Sequence, residues 1–232
     1  GIAISKLSDS LIIGSVIIAF LLMAKQTLRS VYITKGRLIP GLVTGLVFFI
    51  PFGFLAFRNP AQPIDSSFLR SNWVWILVFV MANGFMEELI FRGYLMQGFT
   101  VWLKNRWSPV IITSALFALM HIINPEIKEY GFWNMMPQYL LFGLIFGVIT
   151  VLDDGVEAAI GAHAANNIFL SVMLTSKGSA LQTPALYEQQ NYYPMTELLS
   201  MLVMGFLFIV VLKLLFGWKN LPVLFGKVQP PD

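Results

Sequence analysis

The sequence predicts an all-α, polytopic transmembrane helix bundle of about seven spans, built around a polar cavity. Three observations carry that prediction. Hydrophobic residues make up 57% of the 232-residue chain and charged residues only 12%, against about a quarter charged in ordinary soluble domains. Seven apolar stretches approach the roughly 20 residues needed to cross a hydrocarbon core. A few ionisable and amide side chains lie inside those stretches, where a charge costs about 2.5–3.5 kcal/mol and is usually paired, turned inward and functional.

The spans are expected at roughly 8–25, 40–57, 72–99, 108–123, 135–152, 155–175 and 196–217. The first is followed by Lys25 and Arg29 with no small-residue cleavage site, which reads as an anchor and not as a cleavable signal peptide. Because the chain begins at Gly1 without an initiator Met, a trimmed or partial chain lacking an earlier helix is expected. The third span is SNWVWILVFVMANGF running into MEELIFRG, and the fourth is the shortest. The sixth starts after DDGVE at 153–157, read as a helix start with Asp154 as N-cap and Glu157 three residues on. Loops carry turn residues: RNPAQPID at 58–65, NRWSP at 105–109, INPEIKEYGFWNMMP at 123–137 and the long TSKGSALQTPALYEQQNYYP at 175–194, an expected outside loop or lid. Trp73, Trp75, Trp102, Trp107, Trp133 and Trp218 near span ends read as an interfacial belt. Residues 1–232 form a single integral-membrane domain without repeats or low-complexity tracts.

Cysteine is absent, which excludes disulfides, thiolate metal sites and a cysteine nucleophile. The net charge of +3 reflects loop bias, and no nucleic-acid partner is expected. With seven spans, Lys25, Arg29, Lys35, Arg37, Lys104, Arg106, Lys213, Lys219 and Lys227 fall on one side, against Lys6, Arg58, Arg70, Lys128 and Lys177 on the other. The richer side is cytoplasmic by the positive-inside rule. A multi-pass protein of the cell membrane follows, with the N-terminus outside and the C-terminus cytoplasmic.

Inside the spans lie Glu87, Glu88 and Arg92 in the third, His121 in the fourth, and His163, Asn166 and Asn167 in the sixth; both histidines of the chain are among them. Glu88 and Arg92 are four apart on one helix face and can pair. Glu87 is turned about 100° away and is expected to lack a local partner. His163 and Asn167 share a face, and Phe117 sits one turn from His121, where an aromatic ring can wall a pocket. If these groups converge, two chemistries are open. In one, Glu87 acts as general base on a water, His121 holds that water or shares the proton, and His163 and Asn167 donate to the developing oxyanion. In the other, Glu87, His121 and His163 ligate a catalytic zinc with an open water position. A proton- or ion-coupled transporter would also bury such groups, but it would favour broken helices in related halves.

The motifs carry a resemblance. EELIFR at 87–92 resembles the EExxxR motif, FALMH at 117–121 the FxxxH motif and HAANN at 163–167 the HxxxN motif of the CPBP family. These are the CAAX-prenyl endopeptidase and bacteriocin-processing intramembrane proteases, also called the Abi family. The resemblance covers a core at 72–175. It implies an intramembrane endopeptidase, commonly called a metalloprotease, with a catalytic cavity open toward the cytosol. It also implies that Glu87 and His121 activate water, that His163 and Asn167 stabilise the oxyanion, and that Glu88, Arg92 and Phe117 support them. Zinc and a metal-free mechanism both remain open. The expected partners are the lipid bilayer and a membrane-associated peptide or protein substrate, for which a bacterial peptide or membrane protein is favoured over a prenylated one. A scaffold that retains the motifs without proteolysis is the alternative reading.

Overall fold

A computed structural model of the chain describes residues 2–25, 27–33, 36–56, 61–65, 67–181, 183, 185–218 and 221–228. Lys35, Arg58 and Lys219 of the charge balance lie outside these residues, as do parts of the loops at 58–65 and 175–194. The chain is an all-α membrane helix bundle. Its helices are α1 (Ile2–Met23), α2 (Leu38–Ala56), α3 (Ser67–Glu88), α4 (Met96–Leu103), α5 (Trp107–Met120), α6 (Pro125–Tyr130), α7 (Phe132–Asp153), α8 (Glu157–Ile168) and α9 (Pro194–Phe216). A π-helical segment, Leu89–Leu95, joins α3 to α4, and another, Phe169–Met173, extends α8.

Each expected span corresponds to helix, but the helices differ in kind. Three are long and apolar enough to cross a membrane among the described residues: the continuous Ser67–Leu103, Phe132–Asp153 and Pro194–Phe216. The fourth expected span stops early. α5 ends at Met120, about 21 Å long at 1.5 Å per residue, and His121 is its C-cap in a turn and not an interior helical residue. The sixth is an inner helix that does not face lipid. Val156, Ala158, Ala159, Ile160, Ala162, Ala164 and Ala165 are all fully or almost fully buried.

Small side chains explain how α8 is enclosed. A Cβ built on Gly161 would stand 2.4 Å from the Leu42 nitrogen and 2.5 Å from the Leu38 oxygen, so α2 and α8 touch backbone to backbone. On the other flank, a Cβ on Gly84 would meet the Ala164 nitrogen at 3.2 Å, which brings α3 against α8. Without a hydrophobic drive between helices in lipid, such close backbone approach supplies the dispersion contact that holds them together.

The two ends of the bundle are built differently. At one end, strands β1 (Ala61–Pro63), β2 (Leu174–Ser176) and β3 (Tyr187–Gln189) form a sheet in the order β1-β3-β2. β3 is antiparallel to β1 and parallel to β2. α6 joins this end through Tyr130, whose hydroxyl donates to the Lys177 carbonyl at 2.8 Å, and through Glu126, whose carboxylate accepts from the Ala180 N–H at 2.6 Å. At the opposite end Arg37 pairs with buried Asp153, which also accepts from the Trp218 indole at 2.8 Å.

That opposite end corrects two expectations. Asp154 does not cap α8. It has φ of 52° and closes α7 in the left-handed conformation, while α8 starts at Glu157 after Val156. Glu157 accepts from the Gly36 N–H at 3.2 Å. Trp218 is buried against Asp153 and is not part of a lipid-facing belt, whereas Trp73, Trp75, Trp102 and Trp133 are exposed on the bundle surface.

Candidate active site

The last turn of α3 and the first turn of the π segment supply the acidic part of the site. Glu88 is fully buried, and its Oε1 accepts from Arg92 Nη1 at 2.8 Å. The pair survives the widening of the helix that begins at Leu89. Arg92, also fully buried, donates through Nη2 to the Gly143 carbonyl at 2.9 Å, and its guanidinium carbon lies 4.9 Å from the Phe117 ring centroid. Gly143 permits that approach because α7 is tight against α5: a Cβ there would stand 2.9 Å from Ser114 Cα. A buried charge needs this kind of enclosure, since its desolvation is offset only by good geometry and several donors and acceptors.

The same Glu88 Oε1 accepts from His163 Nδ1 at 2.8 Å. With Nδ1 turned to Glu88, Nε2 is the nitrogen on the Glu87 side, 3.8 Å from Glu87 Oε2. The imidazole is held flat on Phe146, with centroids 5.1 Å apart at 14°, and edge-on to Phe142 at 5.1 Å. Glu87 is mostly buried and is not isolated, contrary to the expectation drawn from its position. Asn83, four residues earlier, donates to Glu87 Oε1 at 3.0 Å. Asn167 in turn donates to Asn83 Oδ1 at 3.4 Å, so a chain of amides links α8 to the carboxylate.

His121 reaches the same space from the end of α5. Its Nδ1 donates to the Phe117 carbonyl at 2.7 Å, its ring stacks on Tyr139 with centroids 4.4 Å apart, and the Phe117 ring lies 4.5 Å away on another side. Asn124 donates to the Tyr139 hydroxyl at 2.8 Å. Glu87, Phe117, His121, His163, Asn166 and Asn167 all line one cavity of about 1030 Å³. Glu88 and Arg92 lie behind its wall. The lining continues to Glu126, Ser176, Ser179, Tyr192 and Glu197 at the sheet-bearing end.

Asn83 is the site residue that sequence reasoning missed. Its signal was an amide inside an apolar run, four residues before a glutamate. Gln138 and Tyr192 were missed as well: the Tyr192 hydroxyl donates to Gln138 Oε1 at 2.7 Å, and both line the cavity. Burial holds the Tyr192 hydroxyl well above its ordinary pKa, which keeps it a neutral donor.

The donor set does not fit zinc as it stands. Among the described residues no three His, Asp or Glu side chains group as metal ligands. The Nδ1 contacts of His163 with Glu88 and of His121 with a carbonyl leave both Nε2 atoms and Glu87 as the groups that would hold a metal, but they are not drawn together as a ligand set. What the arrangement offers is a carboxylate positioned by an amide, an imidazole oriented by a second carboxylate, and one cavity that both of them line.

Comparison with known proteins agrees with the motifs. Residues 69–169 match the family of Rce1-like type II CAAX prenyl endopeptidases, which bears out the resemblance over that stretch. The chain is also 33% identical over 166 residues to the uncharacterized protein YyaK of Bacillus subtilis (strain 168). That alignment takes in 64% of this chain and 55% of the relative, so the chain spans about half the length of the curated protein it matches. No solved structure matches the chain.

Proposed function

The chain is Rce1-like over residues 69–169, and from that premise we propose that it is an intramembrane endopeptidase acting on a membrane-associated peptide or protein. The catalytic core is residues 72–175. Glu87 takes a proton from a water in the cavity as that water attacks the scissile carbonyl carbon. His163, protonated and oriented by Glu88, donates from Nε2 to the tetrahedral oxyanion, and the second amide hydrogen of Asn167 donates beside it. His121 orients the water. When the intermediate collapses, the C–N bond breaks and Glu87 returns its proton to the departing amine. Each of these steps uses side chains of the protein alone.

The observation that carries this reading is the sharing of one cavity by Glu87, His121, His163 and Asn167, with Glu88 and Arg92 packed behind. The orientation follows from loop charge: the end bearing Lys25, Arg29 and Arg37 is cytoplasmic. On that orientation the sheet-bearing end of the cavity faces outward, whereas the motif resemblance implies a cavity open toward the cytosol, and the two are separated by accessibility labelling.

The test is cleavage of membrane-inserted peptides by the purified protein in lipid nanodiscs. Wild type is compared with Glu87→Gln, His121→Ala and His163→Ala. Product in the wild type and its loss in all three variants is expected. Undiminished cleavage in Glu87→Gln would sink the mechanism.

A further inference from the structure

We propose that β2 is the substrate-docking strand of this cavity: an extended peptide pairs with its open edge as a fourth strand, so that the scissile bond enters the cavity unwound. The inference rests on the endopeptidase reading of the same site. In the order β1-β3-β2, β2 pairs among the described residues with β3 alone and leaves its other side as a sheet edge. Leu174, Thr175 and Ser176 all line the cavity that holds Glu87 and His163. Successive side chains of a strand point to opposite faces of a sheet. Three consecutive residues bordering one cavity therefore mean that the cavity meets β2 along its edge and not through one face.

The parallel pairing leaves half of the β2 backbone groups on offer. Leu174, Thr175 and Ser176 stand opposite Tyr187, Glu188 and Gln189 in a parallel ladder, and the Leu186 N–H donates to the Val172 carbonyl one step before it. Bonding groups alternate along such a strand, so one set of the β2 backbone N–H and C=O groups pairs with β3 and the other set points away from it, toward the cavity. The chemistry demands an occupant that can use them. A peptide in a helix has its carbonyls engaged by its own N–H groups, and water cannot attack a bond so enclosed. An extended peptide exposes the bond but brings unpaired backbone groups into an apolar site, where each is costly. A sheet edge satisfies them, and strand addition is a general mode of peptide capture.

The experiment uses the full-length Glu87→Gln protein in nanodiscs, so that binding is read without cleavage. The probe is a synthetic Leu/Val/Ala-rich peptide with carbon-13 carbonyl labels, together with two backbone N-methylated twins whose methyl groups are offset by one residue. The expected result is a bound amide I band in the extended-strand position and a loss of affinity of about tenfold for one twin but not the other. A helical band, equal binding of the two twins, or no binding at all would overturn strand docking. Cleavage by the wild-type protein is scored separately. Methyl-sensitive binding without cleavage would leave docking standing and remove the protease reading; cleavage without methyl sensitivity would do the reverse.

Discussion

Glu88 Oε1 accepts two hydrogen bonds at once, from Arg92 Nη1 and from His163 Nδ1, each at 2.8 Å. One oxygen atom therefore ties the end of α3 to the π segment and to α8. Removing it strands a fully buried guanidinium and leaves the imidazole without its orienting partner. Breaking a buried pair from one side costs about 3–5 kcal/mol. Glu88→Ala should lower the thermal midpoint in detergent sharply and abolish activity with it, a joint loss that scanning fluorimetry and a cleavage assay can read together.

Glu87 should behave in the opposite way. Its carboxylate accepts from Asn83 and faces the cavity, and glutamine preserves the shape while removing the proton acceptor. General-base catalysis contributes about 10²–10⁴-fold, so Glu87→Gln is expected to lower kcat by at least about a hundredfold with the thermal midpoint nearly unchanged. A large drop in stability with residual activity would mean that the roles of the two adjacent acids are reversed.

Asn83 is a positioning residue, and its contribution can be separated from that of Asn167. The two amides lie in one chain that ends on Glu87 Oε1. Asn83→Ala should lower kcat by about tenfold, the order expected when a hydrogen bond to a charged group of about 1.5–3 kcal/mol is lost. Because Asn167 acts partly through Asn83, the double variant should lose less than the product of the single effects. Full multiplicativity in kcat would show that the amides work independently.

How much of this was legible in the sequence depends on the range of the interaction. The seven apolar stretches became helices because burial of apolar surface in lipid is set residue by residue. The Glu88–Arg92 pair was legible because i, i+4 spacing is local. The end of α5 at His121 was not, since the polar cavity that receives the turn is assembled from other helices. The sheet was equally hidden: its strands are three residues each, too short for an alternating pattern, and they come from positions 61–63, 174–176 and 187–189. Partnership between His163 and Glu88 spans 75 residues of chain and has no local signature at all.

Helix packing makes a sharper prediction at two glycines. A Cβ placed on Gly161 would meet backbone atoms of α2 at 2.4 and 2.5 Å, whereas nothing lies within 4 Å of one on Gly98 in α4. Backbone cannot yield as a flexible side chain can. Gly161→Ala should therefore destabilise by about 1–3 kcal/mol or more, while Gly98→Ala should be neutral or stabilise by up to about 1 kcal/mol. Thermal midpoints of the two variants, measured side by side, check the α2–α8 contact directly.

Orientation can be tested because the chain contains no cysteine, so a single introduced thiol is an unambiguous reporter. Lys177, beside the sheet, and Arg29, at the opposite end, are both exposed. Lys177 does pair with Glu129 at 2.8 Å, but an ion pair whose lysine is 75% exposed contributes little to stability, and Lys177→Cys should fold normally. If the positive-inside bias governs insertion, a membrane-impermeant maleimide added to intact cells should label Lys177→Cys and spare Arg29→Cys until the membrane is opened. The reverse pattern would put the sheet-bearing end of the cavity in the cytosol. It would also mean that five basic residues outweighed nine in setting topology, and that peptides made inside the cell reach Glu87 without crossing the bilayer.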